Sequence, residues 1–174
     1  MKIIINESQL RLIVENEGED NLIDFTYVYR TGFPPEDWDD IFLLLKEKKE
    51  RKGDKNYTGY YIDGFINLHK SDVTELKYLV KVEGSLNLNG SKIKMLPMLE
   101  YVDNYLYLTS SGIESLPMLK YVGGYLNLNN TPIESLPMLK YVGYTLMLNK
   151  TPLSKKTTEE ELRDKIKIKG NVYI

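Results

Sequence analysis

The 174-residue sequence predicts an α/β solenoid: a stack of five to six 20-residue coils with a parallel β-sheet on one face. Three observations carry this reading. The chain repeats itself with a period of 20, and residues 101–120 and 121–140 agree at 13 of 20 positions without a gap. Each copy holds an apolar-x-apolar pair, the mark of a short strand showing alternate residues to a core. Each copy is also too short for a strand, a long helix and two turns, so its return side should be extended or a short 3₁₀ turn.

The copies begin at Ile62, Val82, Val102, Val122 and Val142. Their apolar pairs are Ile66/Leu68, Leu86/Leu88, Leu106/Leu108, Leu126/Leu128 and Leu146/Leu148. Three residues after each pair stands a hydroxyl: Ser71, Ser91, Ser111, Thr131 or Thr151. That column is expected to bond backbone groups where the chain leaves the strand, because buried turn amides need partners. Gly64, Gly84, Asn104 and Gly124 precede the pairs, where a turn with φ > 0 is expected, and Tyr144 breaks the series. Pro97, Pro117 and Pro137 hold the return extended. One coil cannot bury its leucines alone, whereas stacked coils about 4.8 Å apart can.

Solenoid ends need covers. Residues 1–60 read as an N-terminal α/β cap, 61–155 as the solenoid and 156–174 as a C-terminal helix-strand cap. In the first, "INESQLRLIVENEG" suggests a short helix with Asn6 as N-cap, and 22–30 suggests a strand. "PPEDWDDIFLLLKEKKERKG" has the proline, acidic start and basic end of a helix, with Gly53 stopping it. Its stripe Trp38, Ile41, Phe42 and Leu45 is expected to seal the first coil. At the far end "TTEEELRDK" suggests a helix capped by Thr157 or Thr158. "IKGNVYI" (168–174) then matches "VEGSLNL" (82–88) as a last strand, with Lys165, Lys167 and Lys169 discouraging edge pairing.

The lines "VGGYLNLNNTPIESLP" (122–137) and "VDNYLYLTSSGIESLP" (102–117) resemble the leucine-rich repeat, in particular its short bacterial and phage form. The resemblance covers about 62–155. Ser or Thr stands where longer classes carry an asparagine, so no asparagine ladder is carried over. The resemblance implies a right-handed solenoid that binds a partner by its sheet face. "MKIIINESQLRLIVE" resembles the openings of tailed-phage proteins, and its "IVE" looks like a head-protease site, which implies a processed start near Asn16.

Composition excludes several classes of function. Charges nearly balance, with 23 Lys+Arg against 25 Asp+Glu and a formal net charge of −2, so neither nucleic acid nor an anionic membrane is an expected partner. The sequence shows no apolar span of membrane length and no signal-peptide pattern, and a cytoplasmic location is expected, with a virion as the alternative. With no Cys and one His, thiolate, metal and triad chemistry lack parts, and no cofactor motif is found. Glu36, Asp37, Asp39 and Asp40 read as helix-dipole partners. "DKNYTG" (54–59) fails as a calcium loop at its fifth and twelfth positions, and "KEKKERK" (46–52) reads as a solvated face.

The expected function is that of a non-enzymatic protein-binding module. Its candidate surface is the outward row of the strands: Phe65, Asn67, His69, Asn87, Asn89, Tyr105, Tyr107, Tyr125, Asn127, Asn129, Met147 and Asn149. Tyr gives contact area at low entropy cost, and Asn gives adaptable hydrogen bonds. The competing reading is a solvated sheet whose Asn and Tyr satisfy one another. A glycan ligand, or a structural role on a virion or cell surface, is the alternative function. A second column, Tyr61, Tyr101, Tyr121 and Tyr141 interrupted by Lys81, reads as a structural stack on the flank.

Overall fold

The computed structural model describes residues 22–25, 34–50 and 58–174. The expected helix near Asn6, the Asn16 processing site, Gly53 and most of strand 22–30 lie outside the described residues.

The repeat folds as a parallel-strand β-solenoid, and the 20-residue period is its coil. The expectation of a single sheet is corrected: each coil contributes two short strands, one to each of two sheets. Among the described residues the first sheet has seven strands. In spatial order they are β1 (Leu22–Asp24), β2 (Gly59–Asp63), β4 (Leu79–Glu83), β6 (Tyr101–Val102), β8 (Tyr121–Val122), β10 (Tyr141–Val142) and β12 (Lys167–Ile168). The second has six: β3 (Ile66–Asn67), β5 (Leu86–Asn87), β7 (Leu106–Tyr107), β9 (Leu126–Asn127), β11 (Leu146–Met147) and β13 (Val172–Tyr173). The β-branched start of each copy is thus itself a strand residue. In the sequence only the apolar-x-apolar pair alternates for long enough to look like a strand.

Register is one coil per strand. Ile62, Val82, Val102, Val122, Val142 and Ile168 pair in series, and so do Ile66, Leu86, Leu106, Leu126, Leu146 and Val172. The leucines, isoleucines and valines of the repeat merge into one core, most of them fully buried. Leu136 is the exception in its column and is only partly buried. The return side is extended, as the prolines require, with isolated bridges joining Glu75, Met95 and Ser115.

Three of the five hydroxyls in the column bond within their own coil, while those of Ser71 and Ser91 are buried without a partner among the described residues. Ser111, Thr131 and Thr151 donate to the carbonyls of Leu108, Leu128 and Leu148 at 2.7–2.8 Å. The amides of Ser91, Ser111 and Thr151 return to the same carbonyl set, tightening the corner.

The glycine expectation holds only for Gly64, at φ 114°. Gly84 is needed for a different reason. A Cβ there would lie 2.2 Å from the Gly64 carbonyl oxygen, and one at Gly143 would lie 1.7 Å from that of Gly123. Stacking distance, not φ, selects glycine at these corners. The left-handed residues stand elsewhere, just after the second strand: Lys70, Gly90, Ser110, Asn130 and Lys150, at φ 55–65°.

A 3₁₀ turn (Pro35–Asp37) leads into helix α1 (Trp38–Glu50), which buries Trp38, Ile41, Phe42 and Leu45 in the common core. Tyr60 stacks on Phe25 at 4.4 Å and meets Phe42 at 6.1 Å. Asp39 does more than face the helix dipole. It accepts from the Tyr60 hydroxyl at 3.0 Å and from the Lys77 and Tyr78 amides at 2.6 and 3.3 Å, fastening α1 to the first coil.

At the other end α2 (Glu159–Lys165) starts at Thr158, whose capping box with Glu161 selects it over Thr157. Arg163, held by Glu159, donates to the carbonyls of Ile168 and Gly170 at 3.0 and 2.8 Å. Those bonds cover the open edge of the seven-stranded sheet. Among the described residues no helix is long and apolar enough to cross a membrane.

Candidate functional site

The outward row lies on the six-stranded sheet and the turn that follows it. Phe65, Asn67, His69 and Asn149 are exposed; Asn87, Asn89, Tyr105, Tyr107, Tyr125, Asn127, Asn129 and Met147 are half-buried. The register brings Asn67, Asn87, Tyr107, Asn127, Met147 and Tyr173 into one column, because residues one coil apart pair directly.

Most of the asparagines serve the scaffold. Asn67, Asn87 and Asn127 each accept, through Oδ1, from the amide two residues on, at 3.1–3.2 Å. Where Tyr107 and Met147 replace that asparagine, the previous coil supplies the acceptor. Asn89 Oδ1 takes the Thr109 amide at 2.7 Å, and Asn129 Oδ1 takes the Asn149 amide at 2.8 Å. Asn87 Nδ2 also donates to Asn67 at 3.1 Å, and Asn149 Nδ2 to Asn129 at 3.2 Å. An asparagine therefore stands behind this turn amide in every repeat, by one of two routes. The ladder denied to the repeat's hydroxyl position exists one column away, built by different residues.

The tyrosines are not consumed in this way. Tyr105 lies 5.7 Å from Tyr107 and 5.3 Å from Tyr125, with rings tilted by 42° and 51°. Tyr125 stacks on Tyr144 at 5.6 Å. The four rings form one aromatic corner. Gly124 makes room for it, since a Cβ there would meet the Tyr105 ring at 2.4 Å. Tyr144, which in the sequence only breaks the glycine series, is 56% exposed and belongs to the surface. Thr145, in line with the outward residues by count, is instead buried at 8%. The signal for Tyr144 was the anomaly itself: a bulky aromatic where the other coils keep glycine or asparagine.

The other tyrosine column occupies the outer face of the seven-stranded sheet rather than a flank. Tyr101, Tyr121 and Tyr141 stack at 4.3 and 4.7 Å and within 4° of parallel. Lys81 and Lys169 sit over its two ends, 5.7 and 5.8 Å from the ring centres. The ring faces are spent on one another, so this column offers edges and hydroxyls only. Burial, the neighbouring Tyr121 hydroxyl and Asp103 push the Tyr101 phenol up to about 12.

His69, with its backbone amide bound to Asn67, lies at the mouth of a groove of about 730 Å³ between α1 and the first coil. Among the described residues no group of three His, Asp or Glu side chains could hold a metal ion. Fold and surface together define a two-sheet parallel β-solenoid presenting an aromatic corner beside an amide ladder. Comparison of the chain with protein-family profiles, curated proteins and solved structures finds no match.

Proposed function

We propose that the chain is a non-catalytic interaction module, a leucine-rich-repeat-like solenoid that binds a protein partner through the face of its six-stranded sheet. The observation that supports this reading most is the corner of Tyr105, Tyr107, Tyr125 and Tyr144. Its rings are held by a rigid scaffold, with centroids 5.3–5.7 Å apart. Preordered aromatic side chains are the usual anchors of binding surfaces, because little entropy is lost when a partner covers them. The asparagines enter as the rim: their Oδ1 atoms serve turn amides, which leaves mainly Nδ2 groups to offer.

The test is affinity capture with the intact chain and a Tyr105→Ala/Tyr107→Ala/Tyr125→Ala variant, with circular dichroism to show that both fold. The variant should lose specific partners that the parent retains. Equal recovery by both would refute the strand-face reading.

The grouping of the Tyr105, Tyr107 and Tyr125 rings, tilted rather than stacked on one another, favours a second reading, a glycan ligand. A glycan array separates the two: hits lost in the triple variant favour sugar, and a blank array favours protein. The cellular setting in this proposal is the cytoplasm, with a virion or surface structural role as the alternative.

A further inference from the structure

In each inner coil the preceding coil covers the edge of the six-stranded sheet. Among the described residues no strand precedes β3, which ends that sheet. Helix α1 covers the side near Tyr60 and Tyr78. Beyond it lies the groove of about 730 Å³, within the size range of ligand clefts. Its floor is the terminal strand β3 with Leu68 and Val73, and its wall is Pro35, Glu36, Asp40 and Leu43. Leu68 and Val73 keep 8% and 6% exposure, where their counterparts Leu88 and Ile93 have 0%. The groove is thus the space that an earlier coil would fill.

The repeat's own bonds state what fits there. Ile66, Leu68 and Lys70 donate their amides to Ser85, Asn87 and Asn89. By the same pattern the carbonyls of Asn67 and His69 face outward, toward a strand that would donate to them. The lining charges are Glu36, Asp39, Asp40, Asp72 and Glu75 against Lys77. Asp72 is paired with Lys92 at 2.7 Å and Glu75 with Lys77 at 2.8 Å, whereas among the described residues no ion pair involves Glu36 or Asp40.

We propose that this groove binds an extended, lysine-bearing segment of a partner protein as an added parallel strand on β3, with alternate apolar side chains over Leu68 and Val73 and its lysines beside Glu36 and Asp40. Main-chain bonds to an open edge supply affinity, and the side-chain pockets and acidic wall supply choice. This site is separate from the tyrosine corner.

A labelled synthetic peptide copying Lys165–Ile174 ("KIKIKGNVYI") is a suitable probe, since it carries three lysines and a strand already seen in parallel pairing at the other end of the sheet. Fluorescence anisotropy with the full chain should show saturable binding. Asp40→Lys, on an exposed helix position, should weaken it roughly tenfold, equivalent to about 1.4 kcal/mol, and raised salt should weaken it as well. N-methylating the probe's backbone at the residue copied from Val172 should weaken it at least as much. Absence of saturable binding would overturn the proposal, as would undiminished binding of the N-methylated probe. Self-association of the full chain that Asp40→Lys abolishes would also overturn it, by giving the groove to a second copy.

Discussion

Asn89 Oδ1 accepts the Thr109 amide across the gap between two coils, at 2.7 Å. Asn87, two residues earlier, instead serves the amide of its own coil. Two asparagines of one strand-turn segment therefore satisfy two successive coils, and the coil relieved of the duty carries Tyr107.

Asn89→Ala leaves the half-buried Thr109 amide without its acceptor and should cost about 1 kcal/mol. Tyr107→Asn should recover most of that loss, because it restores the local arrangement of Asn127 and Asn129. Urea denaturation of the two single variants and the double variant measures the coupling. Additive losses would show that the two routes are not interchangeable.

Lys150 holds φ 60° on an exposed turn. A left-handed side chain costs about 1–2 kcal/mol, and glycine gives back part of the gain through a freer unfolded chain. Lys150→Gly should therefore raise stability by about 0.5–1 kcal/mol. Gly90→Ala, at the equivalent corner, should lower it by a similar amount. Thermal melts of the pair should move in opposite directions.

Gly143→Ala tests whether coil spacing is fixed. Its Cβ would stand 1.7 Å from the Gly123 carbonyl oxygen, so two coils must part. A loss of about 2–3 kcal/mol is expected, whereas Gly64→Ala meets no atom and suffers only its φ.

The Tyr101 phenol is pushed up to about 12 in the folded chain, first by burial and then by the Tyr121 hydroxyl and Asp103. An unfolded tyrosine ionises near pH 10. The folded state thus keeps a proton that the unfolded state releases. This contribution to stability is complete below pH 10 and is lost as pH rises from 10 through 12. Absorbance at alkaline pH should show phenols titrating late, and Tyr121→Phe should bring Tyr101 back toward its ordinary value.

The period of 20, the buried leucine columns, the hydroxyl column and the strip Trp38, Ile41, Phe42 and Leu45 were all legible, because each depends on residue type at a fixed spacing. The seven-stranded sheet was not. Strands such as Tyr101–Val102 have two residues, too few for alternation to register. The left-handed corner was missed as well: Lys70, Ser110 and Lys150 are not residues that advertise φ > 0, and the coil geometry imposes it on them. For the site, sequence could not separate asparagines bound to the scaffold from tyrosines whose rings meet one another. That distinction depends on which coil accepts which amide, a relation between residues 20 apart.

The alternation of asparagine routes also sets rules for how such a chain can grow by duplication. A coil copied from 121–140 brings Asn127 for its own amide and Asn129 for its successor, so it can be inserted at any point in the array. A coil copied from 101–120 brings neither, and must follow a donor coil or leave an amide bare. Sequence drift at the Tyr107 and Met147 positions is therefore licensed by the coil upstream. The array is read in pairs, with one member fixed by the backbone and the other released to acquire new contacts.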